Sequence, residues 1–152
     1  MAHDVLQLVE RRREPGVEYG SPFDEHEGFN ETWWSRWAGR TDRWFEVRRD
    51  GVEVARVQLA EGGDGINPEY LDAPSLGRDA LRVLFIEIHA GHRLRGVGTA
   101  VVQLLSATYP GRRLYAYSEA DGFWTKLGWL RFEHPEYADH PHGYQVLFVQ
   151  PA

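Results

Sequence analysis

The sequence predicts a mixed α/β domain, in which a hairpin-rich sheet sends one helical crossover out from its central strand. Three observations carry this. Asp50-Gly51 stands between two strand-like runs, Trp44 to Arg49 and Val52 to Leu59, a strong signal for an antiparallel hairpin with a two-residue turn. Leu81 to His89 alternates, with Leu84, Ile86 and Ile88 on one face and Leu81, Val83, Phe85, Glu87 and His89 on the other, as in a central strand buried largely on both faces. Val97, Ala100, Val101, Leu104 and Leu105 then recur at helical spacing after a glycine-containing loop.

The remaining elements follow in order. Val5 to Glu10 reads as a first strand, ended by the charged and turn-forming run Arg11 to Gly16. Ser21-Pro22-Phe23-Asp24 has an N-cap residue, a Pro at the first helical position and an acid, and so predicts a helix start. Asn30 caps a second segment carrying Trp33, Trp34 and Trp37, with Gly28 dividing the two. Residues 60–79 hold four glycines, two prolines and five acids, the composition of a long surface loop. Tyr109-Pro110-Gly111 stops the amphipathic helix. Leu114 to Tyr117 is a short strand, Glu119 to Leu127 a helix closed by Gly128, and Trp129 to Glu133 and Tyr144 to Val149 are the last two strands.

At 152 residues the chain is expected to form one domain over 1–152. The net charge of −6 argues against a general electrostatic grip on nucleic acid or an anionic membrane. No cysteine is present, which removes disulfides, thiolate nucleophiles and Cys-based zinc sites together. No run approaches the ~18 apolar residues of a membrane helix, and the N-terminal stretch places its positive run after its apolar one, the reverse of a secretory signal. A cytoplasmic protein is expected.

Chemistry concentrates in Ile88 to Thr99. Gly96 and Gly98 stand where a strand meets a helix N-terminus, where main-chain N–H groups not used by the helix converge on an anion. Gly91-x4-Gly96 begins like a Walker A loop, but Val97-Gly98 replaces the Lys-Ser/Thr that would hold phosphate and magnesium. A Rossmann fingerprint is weakened by Val101 at its third small position and by the antiparallel strands before it.

Arg93-Leu94-Arg95-Gly96-Val97-Gly98 resembles the Arg/Gln-x-x-Gly-x-Gly/Ala pyrophosphate loop of the GNAT superfamily of acyl-CoA N-acyltransferases. Ala120 to Trp129 (ADGFWTKLGW) resembles that superfamily's later helix-to-strand block, and the likeness runs from about Leu81 to Val149. The resemblance implies a GNAT-like fold using acetyl-CoA or another acyl-CoA as cosubstrate, with no metal. Arg93, Leu94, Arg95, Gly96, Val97 and Gly98 would hold the pyrophosphate, with Thr99 beside it, and the acyl-pantetheine would lie between the strands at Leu81 to His89 and Leu114 to Tyr117. Ile88 and Ala90 would bind it through their main chains, with Ser118 and Trp124 also at the cofactor. Trp124 stands where many members carry the Tyr that protonates the departing thiolate. An indole N–H is too weak an acid for that, so water or Tyr117 would substitute.

Glu87 and His89 share a face near the end of the central strand, and either would serve as the base that takes the amine's proton. The plainer reading pairs Glu87 with an arginine and makes His89 a hydrogen-bonded strand residue. His134, His140, His142 and Asp139 have the residue types of metal ligands, but Pro135 and Pro141 place them in a surface loop. The tryptophans at 34 and 37 read as core, and Asp24, Glu25, Glu27 and Glu31 as solvated acids that would favour a cationic amine if they lined the acceptor site. The chain is thus expected to transfer an acetyl group to a primary amine of a small molecule or peptide by direct attack, with no nucleic-acid or membrane partner and a homodimer left open. The alternatives are a non-catalytic GNAT-fold module that holds acyl-CoA and an interaction domain without a CoA site.

Overall fold

A computed structural model describes residues 5–16, 22–24, 26–29, 42–62, 65–93, 95–140 and 143–152. Among these, seven strands form one mixed sheet. They are β1 (Leu6–Arg11), β2 (Arg43–Arg49), β3 (Val52–Glu61), β4 (Leu81–Ile88), β5 (Leu114–Ser118), β6 (Leu130–Phe132) and β7 (Val146–Val149), in the order β1-β2-β3-β4-β5-β7-β6. Two helices are described, α1 (Val97–Thr108) after β4 and α2 (Asp121–Lys126) after β5. Contacts gather into two compact units, residues 1–60 with 85–108 and residues 61–84 with 109–152, and β4 supplies residues to both.

In the first unit the predicted hairpin is present. Arg49 pairs with Val52, and Asp50 and Gly51 both take positive φ, 52° and 79°, as a two-residue turn of primed type requires. Val47 faces Ala55 while Arg48 faces Glu53, so Val54 is the extra residue of a bulge. β1 pairs antiparallel with β2 from Leu6–Arg49 to Arg11–Trp44. Glu46, buried in β2, is satisfied by Arg11 and Arg48. α1 buries Val97, Val101, Val102 and Leu105, one stripe at helical spacing, and packs beside β1.

The predicted helix start at Ser21 is not borne out where it is described. Pro22, Phe23 and Asp24 are not helical, because tertiary partners hold them: Phe23 meets the Trp44 ring edge-on at 5.8 Å, and the Asp24 carbonyl accepts a 2.7 Å bond from Arg56. Ser21 and the Asn30 segment with its three tryptophans lie outside the described residues.

In the second unit β5 runs parallel to β4 at Leu81–Leu114 and Arg82–Tyr115, and antiparallel to β7, which in turn pairs with β6. α2 closes as expected at Gly128. Gly128 N–H donates to Thr125 O at 3.0 Å and Trp129 N–H to Trp124 O at 3.2 Å, the paired bonds of a Schellman ending. The connection before β4 is a loop, yet not the plain surface loop its composition suggests. Tyr70 is buried against Ala80, Tyr115, Leu147 and Val149, with Ile66 and Leu76 packed on the same cluster, and its hydroxyl donates to Gln145 O at 2.6 Å.

Candidate functional site

β4 carries the expected residues to its C-terminal end. Leu81 and Val83 are buried, but Leu84 through Ile88 are only half-buried, so this end of the strand is less enclosed than its alternation suggests. Glu87 is one of these half-buried positions and engages neighbouring groups.

The strand stops at Ile88, and Ala90–His92 form a single 3-10 turn. His89 is the hinge between them. Its N–H donates to Val54 O at 2.9 Å, its carbonyl accepts from His92 N–H at 2.8 Å, and its Nδ1 accepts from Gly91 N–H at 2.9 Å. The ring lies edge-on to His26 at 5.0 Å, Phe29 at 5.3 Å and His92 at 5.3 Å. Burial, then the neighbouring His26 and His92, hold the imidazole below its usual range against the opposing pull of Glu53. Ala90 gives its N–H to Gly28 O at 3.1 Å. The Ile88 carbonyl faces Arg93 Nε at 3.4 Å.

The glycine loop then turns into α1. Arg93 and Arg95 are exposed, and Gly96 adopts φ +74° with no atom of the described residues within 4 Å of where a Cβ would stand. The first intrahelical bond runs from Ala100 N–H to Gly96 O at 3.1 Å, so the amides of Val97, Gly98 and Thr99 precede the hydrogen-bond ladder. Val97, 1% exposed, roots this end of the helix in the core. Together these make an exposed strand-to-helix junction with two cationic side chains, chemically suited to a phosphate ester. Leu94 lies outside the described residues.

In the second unit, Ser118 Oγ accepts from Ala120 N–H at 3.0 Å and so sets the turn into α2. The Tyr117 hydroxyl accepts from Asn67 N–H at 2.8 Å and faces Gly65 O at 3.3 Å, and burial raises its pKa despite the bond from Asn67 and the Arg82 guanidinium 4.9 Å from its ring. Trp124 is 5% exposed, with Trp129 at 4.6 Å and Phe148 at 6.2 Å, and its indole N–H finds no hydrogen-bond partner among the described residues. Leaving a buried donor unmade costs about 1–3 kcal/mol, and this one is sealed from the surface. His134 is buried on the Tyr144 ring at 3.7 Å and meets Glu69 Oε2 at 2.9 Å, while its Nδ1 accepts from Glu136 N–H. Among the described residues no group of three or more His, Cys, Asp or Glu is placed to hold a metal. His142 falls outside them.

Sequence reasoning missed Gly28, whose absent side chain makes room for the His89 ring, and Asn67, which holds the Tyr117 hydroxyl. Gly28 was legible only as a divider between helices, and Asn67 only as a loop residue.

No protein-family model matches the sequence, and no curated protein matches it either. Solved structures do match by fold. An acetyltransferase from Thermus thermophilus is 18% identical, with 74% of this chain covering 66% of that one at a TM-score of 0.54. The Bacillus subtilis N-acetyltransferase YlbP, solved with coenzyme A, is 18% identical over 72% of this chain and 67% of its own, at 0.51. The chain spans about two thirds of the length of each. A KacTA–DNA complex matches at 15% identity over 97% of this chain and 93% of its own, at 0.58. This chain has the GNAT fold. At such identities the likeness carries the architecture alone. No helix among the described residues is long and apolar enough to cross a membrane.

Proposed function

We propose that the chain is an acyl-CoA-dependent N-acyltransferase that moves an acyl group, acetyl in the first instance, from acyl-CoA to a primary amine by direct attack. The observation that carries this reading is the junction of β4 and α1, where Gly96 at φ +74° opens the loop beside amides that precede the helix ladder. Bound acyl-CoA supplies an activated thioester. The chain's own residues bind and orient it: Arg93 through Gly98, with Thr99, hold the pyrophosphate, and the main chain of Ile88 and Ala90 lines up the pantetheine. Ser118 and Trp124 keep the cofactor roles that the resemblance gives them. Glu87 takes the proton of the attacking amine, with His89 the second choice, since its Nδ1 already holds Gly91.

The same reading treats 1–152 as one working domain in the cytoplasm, takes a small-molecule or peptide amine as acceptor, and gives no role to nucleic acid, membrane or metal. The net charge of −6 supports it. Retention of DNA by the purified protein at physiological salt would count against it.

A second reading, a module that holds acyl-CoA without turning it over, is favoured by one observation. Trp124 cannot deliver a proton, and Tyr117 has its hydroxyl engaged and its pKa raised by burial. Thiol release measured across a broad amine panel, beside CoA-binding calorimetry, separates the two. Binding with turnover supports the transferase, binding without it supports the module, and failure to bind acyl-CoA sinks both.

A further inference from the structure

Residues 26–29 close on the end of β4 through a set of contacts that centre on one ring. A methyl group at Gly28 would stand 2.0 Å from His89 Nε2, so only glycine lets the segment approach this far. Gly28 O accepts from Ala90 N–H at 3.1 Å, Gly28 N–H donates to His26 Nδ1 at 3.0 Å, and the His26 and Phe29 rings flank His89 edge-on. β3 holds the segment from the other side. Buried Arg56 lies 4.1 Å from the Phe29 ring centre and donates to Asp24 O at 2.7 Å, while Glu53 neutralises it at 2.9 Å.

The hydrogen bond from Gly91 N–H exists only while His89 Nδ1 carries no proton. A proton placed there sets N–H against N–H. It also adds a charge facing His26 and His92, with the Arg56 cation behind them and, among the described residues, Glu53, already paired to Arg56, as the group of opposite sign. The turn that would lose its bond runs directly into the glycine loop.

We infer that His89 is a positioning residue: in its neutral form it latches residues 26–29 to the Ala90–His92 turn, and its protonation opens that turn and weakens the loop's hold on a pyrophosphate ligand. The latched state binds fewer protons at His89 than the open state. The latch is therefore fully present above the ~6.5 of an ordinary imidazole and is lost as pH falls below it.

The inference rests on the proposed acyl-CoA reading for its ligand, and the test keeps the two apart. The native protein and His89→Asn are compared for CoA binding by calorimetry at about pH 8 and about pH 5.5, on either side of the imidazole range. The amide Oδ1 accepts from the residue two ahead as Nδ1 does but does not titrate. The native chain should lose severalfold more affinity on acidification than the variant, because the titration of CoA itself is common to both. Exchange of the Gly91 amide, corrected for its intrinsic rate, should be protected at both pH values in the variant and only at the higher one in the native chain. Equal losses of affinity in the two proteins overturn the latch. If neither binds CoA at any pH, the acyl-CoA reading fails, and amide exchange alone decides: pH-independent protection in the native chain overturns the latch, and protection lost on acidification supports it.

Discussion

Substitution at Gly96 separates backbone strain from charge, which is what a test of the anion loop needs. The residue sits at φ +74°, and no atom of the described residues lies within 4 Å of a Cβ built on it, so a side chain meets strain and, among them, no clash. A non-glycine residue in this left-handed region costs about 1–2 kcal/mol, least for Asn. For a chain of this size that lowers Tm by roughly 2–8 °C, at ~2–4 °C per kcal/mol. Gly96→Asn thus measures strain alone. Gly96→Glu adds a negative charge, and at ~5 Å from a phosphate with an effective dielectric of ~20 the repulsion is about 3 kcal/mol. Exposed Arg93 and Arg95 and the solvent screen part of it, so the affinity loss should still exceed ~10-fold, to the point of abolishing measurable binding. Thermal unfolding of both variants, followed by CoA calorimetry, gives the two quantities separately. Both should fold with a modest drop in Tm, Gly96→Asn should bind CoA within a few-fold of the native chain, and Gly96→Glu should not. A folded Gly96→Glu protein with native affinity would refute the assignment of the loop.

Three further outcomes are expected. Glu87→Gln should lower kcat/KM for an amine acceptor and remove an acidic limb from its pH profile, and a rate profile that keeps this limb would exclude Glu87 as the base. Trp124→Phe should retain turnover with a ~10-fold loss, while Trp124→Ala should lose more, because it opens a cavity against Trp129 and Phe148 and costs about 3–5 kcal/mol of stability. If steady-state rates show Trp124→Tyr active where the native chain turns over no amine, the non-catalytic module becomes the better account. Tyr70→Phe deletes the bond to Gln145 O and should lower Tm by roughly 2–4 °C for a loss of about 1 kcal/mol, and an unchanged melting temperature would mean that this hydroxyl does not pin the loop.

What the sequence made legible is what neighbouring residues decide among themselves. Asp50-Gly51 dictates its own turn, Gly128 ends its own helix, and the stripe from Val97 to Leu105 needs no distant partner to be recognised. Boundaries moved by a residue or two, as where β3 runs on through Ala60 and Glu61, because ladders are continued by main-chain pairing that side chains do not advertise. The loop before β4 shows the opposite case. Its composition is that of a surface loop, and most of it is exposed or half-buried, but Tyr70 is buried by Tyr115, Leu147 and Val149 and bonds a carbonyl 75 residues away, while the Tyr117 hydroxyl reaches back 50 residues to Asn67.

His89 shows where the limit falls within the site itself. Two-residue alternation puts it on the face of Glu87 only for as long as the strand continues, and β4 ends at Ile88. From there the ring's direction is set by the turn that follows and by Gly28, far earlier in the chain, neither of which has a strand's period. A candidate base read from alternation falls inside the strand at Glu87. One residue past the strand's end, the same rule reached a ring whose Nδ1 accepts from Gly91 N–H, which is why His89 comes second to Glu87 in the proposed proton transfer and why its geometry points first to the holding of a turn.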